Sequence, residues 1–358
     1  MRDAIAGHKC RTRKVLLALS VFFTGCQHAG TGAPLTRNAS TAARFQVVER
    51  LDPALDQVIS SAAQLEMLKE EQFGLAEGPL WIDDDGGYLL FSDIPANEIY
   101  KWRQDGTLSI HLARSGYTGP DGPQPSGSVR VNGGMSLRSN GSNGITLDRE
   151  GRVVFCATGD RAIVRIEKHG TRTTLAERYD GKRLNRPNDL VVRSDGRIYF
   201  TDPRPGDSPI NELSFSGAYV LHGGKLELLE QGLRTPNGLA FSPDERFLYL
   251  GSYVDSKVFR YDVQADGTIT NREVFVDMSA DTIAGNPDGM KVDRKGNLYT
   301  TGPGGVWIVS PEGKHLGTIR IPGVATNVAF GDPDAMTLYI TTRRSLARIR
   351  LLTPGIRP

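Results

Sequence analysis

Six short acid or amide residues, each just ahead of a β-rich run, divide this chain into segments of similar length. They are Glu77, Asn143, Asn188, Asn237, Asp288 and Asn327, and in five of them the next residue is Gly or Asp. The last five are separated by 45, 49, 51 and 39 residues. A period in this range signals one supersecondary unit used repeatedly, and a unit of four short strands is a propeller blade. The spacing predicts an all-β fold, a six-bladed β-propeller with four-stranded antiparallel blades around a central channel. The innermost strand of each blade faces the axis. One polar residue per blade at the same register therefore forms a ring of oxygen atoms about one point.

The second blade, over 142–178, shows the unit most plainly: GITLD, a turn at Arg149-Glu150-Gly151, RVVFCA, AIVRIEK, a turn at His169-Gly170, then TRTTLAE. The other blades are expected near 76–113, 186–231, 235–276, 286–321 and 323–352. Asp-Gly, Lys-Gly, Glu-Gly and Gly-Gly pairs between the β-rich runs are hairpin signals. No amphipathic helical stretch of useful length recurs between them, which argues against a βαβ fold. Ahead of the blades, Asp52 followed by Pro53 opens a short helix to about Ser60. Gln64–Lys69 then reads as a strand placed to complete the last blade and close the ring. Between the first two blades, residues 116–141 (GYTGPDGPQPSGSVRVNGGMSLRSNG) form a loop that lengthens the Glu77–Asn143 interval to 66 residues. It reads equally as a lid or specificity element at the pore mouth and as a surface insertion.

Of the 358 residues, 39% are hydrophobic and 23% charged, ordinary for a soluble globular protein. The formal charge of +2 becomes −2 once residues 1–25, with five basic side chains and one acid, are set aside. Such a surface makes no electrostatic case for nucleic acid. Residues 1–25 read as an export signal, a basic stretch followed by the apolar run Val15–Gly25, too short to span a bilayer. Phe23-Thr24-Gly25-Cys26 resembles the bacterial lipobox, with Phe23 in place of the usual aliphatic residue. That resemblance implies a lipoprotein anchored through Cys26, and Gln27 after it implies the outer membrane of a Gram-negative cell. The alternative is an ordinary signal cleaved near Ala29. Residues 26–44 read as a flexible tether and 45–354 as the propeller. Cys10 would leave with the signal, Cys26 would be acylated if the lipobox resemblance holds, and Cys156 is expected as a lone buried apolar residue. No disulfide framework is available.

Glu77 and Asp288 lie in blades remote in sequence and meet only if the ring closes. Two carboxylates in one narrow funnel repel and lose hydration, at a cost of several kcal/mol each if unpaired. A cation removes that cost, and a set of carboxylate and amide oxygens selects a hard one such as Ca²⁺. Zinc does not suit six scattered histidines (His8, His28, His111, His169, His222 and His315). No metalloprotease His pair, G-x-S-x-G elbow or phosphate-binding Gly loop is present. Any single Asn-Gly or Asp-Gly pair also reads as a turn. Register separates these from the others: they precede inner strands, whereas the other Gly pairs lie between strands.

EGPLW, GSNGITLD, NRPNDLVV…IYFTDP, TPNGLAFSPDERFLYL and NPDGMKVD…GNLY together resemble the senescence-marker-protein/gluconolactonase/luciferin-regenerating-enzyme family, over about residues 45–352. The resemblance implies a six-bladed propeller with Ca²⁺, or another divalent ion, in its channel, and hydrolysis of lactones or phosphotriesters. On this resemblance Glu77 and Asn188 are metal ligands, and Asp288 is an acidic ligand that also acts as base. Asn143 lines the site as a metal or substrate contact. Asn237 and Asn327 lie on the same ring, Asn237 as a substrate contact. Two departures stand out. Thr158 occupies the place where bacterial members often carry a histidine in C-x-H-G-D-R, and Arg204-Pro205-Gly206 replaces the usual Pro-Tyr-Gly after Thr201-Asp202-Pro203. Arg161 is a candidate to hold substrate hydroxyls or a carboxylate, or else an exposed strand arginine.

The resulting expectation is a Ca²⁺-dependent lactonase acting on a sugar-type lactone, a small-molecule partner, with membrane contact only through the lipid anchor. Asp288 would act as base on the attacking water, although a carboxylate that binds Ca²⁺ is a weaker base. Asp160 and Asp202 are alternatives for that role. The rival readings are hydrolysis of a phosphotriester or another ester, and a non-catalytic propeller binding a glycan or protein at the cell envelope.

Overall fold

Each central strand of a blade buries both of its faces, because it is sandwiched between two neighbouring blades. In Val153–Ala157, Val154 and Cys156 face the third blade while Phe155 and Ala157 face the first. The two-residue period of a strand therefore delivers alternate side chains to two different interfaces, and the strand reads as continuously apolar. Cys156 is buried as expected. The hairpin turns follow side-chain chemistry: Asp148 Oδ1 accepts from the backbone N–H of Glu150 (3.0 Å), and Gly151 takes the left-handed φ of 73° that closes the turn.

The computed structural model describes residues 47–120, 128–130, 136–204, 206 and 210–358. The expected export signal and the whole of the expected tether, Cys26 included, lie outside the described residues. Six sheets of four or five antiparallel strands form the six-bladed propeller. Their inner strands are Ala76–Ile82, Ile145–Leu147, Leu190–Val192, Pro236–Phe241, Met290–Val292 and Ala325–Gly331, one for each blade in chain order. Six apolar clusters fill the six interfaces. The one joining the last blade to the first, with Trp81 stacked on Tyr339 at 5.4 Å, closes the ring.

Leu65–Lys69 pairs antiparallel with Leu346–Arg350 as the outer strand of blade six, the closure expected from its position. A second borrowed strand was not expected: Val48–Arg50 pairs with His315–Arg320 and gives blade five a fifth strand. Between them the helix is a 3₁₀ turn, Pro53–Gln57, capped by Asp52 and shorter than expected. Leu55, Val58 and Ile59 enter the interface of blades five and six, and this burial ends the helix early. Within the 116–141 insertion, Ser128–Arg130 pairs with Ser136–Arg138. At the far end of the chain, Ile356 N donates to Val292 O (3.0 Å) and Arg357 Nη1 to Asp83 Oδ1 (2.7 Å). The C-terminal residues thus cross the end of the channel where the inner strands finish.

Candidate active site

The inner strands start at the opposite end of the channel, so their first residues converge there. Around a cavity of about 490 Å³ stand Glu77, Asn143, Asn188, Asn237 and Asp288, one from each of five blades. Three inner strands carry a register irregularity at the ring position itself: Glu77/Leu80, Pro236/Leu239 and Ala325/Asn327. Bulges of this kind turn a side chain out of the pleat, here towards the axis.

The glycine that follows four of the six ring residues is not a hairpin turn. A Cβ at Gly78 would lie 2.2 Å from Asn143 O, at Gly238 2.0 Å from Asp288 O, and at Gly289 2.0 Å from the Asn327 side chain. Adjacent inner strands approach so closely that only glycine fits, and their backbones bond across blades: Gly144 N to Asn188 O at 2.8 Å and Gly238 N to Asp288 O at 2.7 Å. Hydroxyls on the second strands hold the ring from behind. Ser92 Oγ donates to Asn143 O (2.8 Å), Thr201 Oγ1 to Asn237 O (2.8 Å), and Thr301 Oγ1 accepts from Asp288 N (2.8 Å).

The acids are held under electrostatic stress. Burial, then the neighbouring Asp189 carboxylate, pushes Glu77 up to about 7. Burial, then Glu77 and Asp189, pushes Asp288 well above the usual carboxylate range, while a hydrogen bond from Asn237 opposes the shift. Beside them Asn143 Oδ1 is buried without a hydrogen-bond partner. A buried acceptor left open next to two desolvated carboxylates fits a hard divalent cation, which takes carboxylate and amide oxygens. Among the described residues no trio of His, Cys, Asp and Glu side chains closes on a common point. A cation here would draw on amide as well as carboxylate oxygens.

Several expected contributors stand elsewhere. Arg161 does not line the cavity; its Nε donates to Leu184 O (2.6 Å) and its guanidinium faces Glu212 at 3.9 Å, so it braces the neighbouring loop. Asp202 is likewise off the cavity wall. It accepts from the backbone N–H groups of Asn185 (2.8 Å) and Arg186 (2.6 Å), and burial raises it to about 7. Asp93 binds Gly74 N and Leu75 N in the same manner in blade one, so both carboxylates act as loop clamps. Asp160 accepts from Thr118 N and Oγ1 at 3.0 Å, tethering the start of the insertion. Thr158 does line the cavity, with its hydroxyl donated to Pro187 O (2.6 Å). Ser139, at the end of the insertion, and Gly206 also reach the wall. Asn327 turns its amide away from the cavity, into the channel beneath it, where it contacts Glu77 and Asp189.

Two residues escaped the sequence reading. Asp189 occupies the slot that is glycine after four of the other ring residues, so its carboxylate projects into the channel; that break in the pattern was the available signal. Arg186 lies on the cavity wall, buried, with Nη2 lacking a partner and its guanidinium pushed down to about 10 by burial alone. Nothing in its periodicity distinguishes it.

Residues 75–344 match the family described as SMP-30/Gluconolactonase/LRE-like region. A gluconolactonase of Zymomonas mobilis is 32% identical across 97% of this chain and 98% of its own length. Among solved structures, a gluconolactonase from Xanthomonas campestris aligns with a TM-score of 0.71 at 32% identity, over 85% of this chain and 94% of that one. The calcium-binding protein regucalcin from Agrobacterium tumefaciens shares the fold, with a TM-score of 0.65 at 20% identity over 83% of this chain and 97% of that one. With three-quarters of its length inside the family match and the ring geometry of its own channel, the chain belongs to the SMP-30/gluconolactonase/LRE-like family.

Proposed function

We propose that this protein is a gluconolactonase-like lactone hydrolase, that its substrate is a sugar-type lactone, and that it works with a divalent cation, Ca²⁺ by the nature of its donors. One observation carries the cation: Glu77, buried, and Asp288, half-buried, converge from blades one and five on one cavity beside the unpartnered Asn143 Oδ1. Near full-length similarity to a gluconolactonase supports the lactone. Glu77, Asp288, Asn188 and Asn143 are the residues that would hold the ion, with Asn237 hydrogen-bonded to Asp288 and facing the same cavity. When bound, such an ion supplies Lewis-acid polarisation of the ester carbonyl and offsets the two neighbouring negative charges.

The remaining chemistry belongs to the chain. Asp288, raised by its surroundings, takes a proton from the water whose oxygen attacks the lactone carbonyl carbon. The ring C–O bond then breaks, and the proton passes to the departing ring oxygen, leaving an open-chain hydroxy acid. Asn237 keeps the Asp288 carboxylate oriented. The unpartnered Nη2 of Arg186 supports a contact to substrate oxygens at the wall. The cavity of about 490 Å³ suits one small molecule.

The decisive measurement is hydrolysis of gluconolactone and related lactones by the purified protein, with and without EDTA. Activity is expected to vanish on chelation and to return with Ca²⁺. Full activity in EDTA would remove the cation from the reading, and failure on every lactone would remove the substrate class.

A further inference from the structure

We infer that Asn327 and Asp189 form a positioning bridge across the channel that presents the Glu77 carboxylate for cation binding; this rests on the cation reading given above. The Asn327 Nδ2 group donates to Glu77 Oε2 at 3.1 Å and to Asp189 Oδ2 at 3.3 Å, so one amide from blade six ties together acids from blades one and three. Its orientation is set, because Asn327 Oδ1 accepts from Val328 N at 2.9 Å and the NH₂ must therefore point at the acids. The register irregularity at Ala325/Asn327 aims the side chain down the axis.

The consequence for Glu77 is an asymmetry between its oxygens. Oε2 accepts from both Gly78 N (3.0 Å) and Asn327 Nδ2, whereas no hydrogen bond among the described residues engages Oε1. One oxygen is held and the other is left for a ligand. Asp189 has no such spare oxygen: Oδ1 accepts from Leu190 N (2.9 Å) and Oδ2 from the bridge. Asp189 is therefore the anchor of the amide. The surrounding backbone keeps the space open, since a Cβ at Gly289 would lie 2.0 Å from the Asn327 amide and one at Gly144 would lie 2.4 Å from Asp189 Oδ1.

Two like charges facing each other across a narrow channel repel, and an NH₂ group with two donors is the smallest neutral device that can hold both. Without it the Glu77 side chain would rotate away from its neighbour and lose the placement a ligand needs. Loss of an outer partner of this kind typically weakens metal binding about 10- to 100-fold.

The test is calorimetric titration of Ca²⁺ into the chelator-stripped full chain, read beside the melting temperature of the metal-free protein. Asn327→Ala is expected to weaken Ca²⁺ binding by about 10- to 100-fold. Asp189→Ala should show a comparable loss, while Asp189→Asn, which keeps an oxygen for the bridge to bond, should retain most of the affinity. The Asp189 pair carries the test even if Asn327→Ala fails to fold. A lowered melting temperature with unchanged Ca²⁺ affinity in Asn327→Ala would reduce the bridge to a structural contact and overturn the inference. Equal losses in Asp189→Ala and Asp189→Asn would assign the effect to charge alone and also overturn it. Absence of cation binding by the unaltered chain would overturn the bridge together with the cation reading beneath it.

Discussion

Asn143 and Asn327 open the inner strands of blades two and six at matching places in the repeat, yet they end in opposite states. The Asn143 side-chain oxygen is buried with no partner, whereas Asn327 has both amide atoms engaged, one by its neighbour's N–H and the other by two carboxylates. Folded proteins rarely leave a buried acceptor unpaired. Two asparagines in one ring, one open and one saturated, therefore mark two layers. The upper layer faces the cavity and keeps its valences for a ligand. The lower layer spends every bond on holding the upper one in place.

The strongest way to break that division is to change the upper layer alone. Asp288→Ala is expected to lower kcat on a lactone by about 10²- to 10⁴-fold, the usual range for removing a general base, with the fold intact by circular dichroism. A loss of less than about 10-fold would move the base elsewhere. A smaller effect should follow from crowding the lower layer. Gly289→Ala places a methyl group on the Asn327 amide and is expected to cost about 1–3 kcal/mol of stability and to weaken Ca²⁺ binding. Gly151→Ala, in a hairpin turn with open space around it, should lower stability through backbone strain and leave Ca²⁺ affinity unchanged. If both substitutions alter Ca²⁺ affinity equally, the axial glycines have no special role.

The smallest expected effect is a pH dependence that separates the layers by their charge. In the metal-free protein Glu77 lies at about 7 against an ordinary 4.5, and Asp288 is raised as well, so the folded state holds these protons more tightly than the unfolded chain. The Glu77 contribution to stability is present in full below about pH 4.5 and is lost as pH rises through 7, and Asp288 adds a slope of the same sign. Cation binding needs the same groups deprotonated. The melting temperature in Ca²⁺ should therefore exceed that in EDTA by a margin that widens between pH 5 and pH 8. Asp202, also near 7 but away from the cavity, adds a slope of the same sign that Ca²⁺ does not remove. A constant margin across this range would mean that the upper-layer acids do not titrate with the ion.

Much of the architecture was readable before any coordinates. The ring residues, the blade limits and the closing strand Leu65–Lys69 all follow from register and turn chemistry, which are local properties. Val48–Arg50 was invisible because three residues carry no period, and their pairing partner is more than 260 residues away. The X-Gly pairs were ambiguous for a different reason. The same dipeptide serves a hairpin turn, where φ must be positive, and a close approach of two backbones, where no Cβ fits, and only the second occurs at Gly238 and Gly289. Arg161 and Asp202 looked like site residues because they neighbour site motifs in the chain. Both are turned into loops by hydrogen bonds that join segments about 16 to 23 residues apart.

What the sequence alone determined is the repeat, and with it a closed ring that brings an acid or amide from every blade to one axis. Periodicity suffices for this because each blade is built from neighbours in the chain, and a ring of like blades has one inner face. Which oxygen of Glu77 is held and which is open, why Asn327 supports while Asn143 faces the cavity, and that Asp189 belongs to the centre were decided only by tertiary structure. Those distinctions depend on distances of a few ångströms between blades one, three and six, and such distances exist only once the ring has closed.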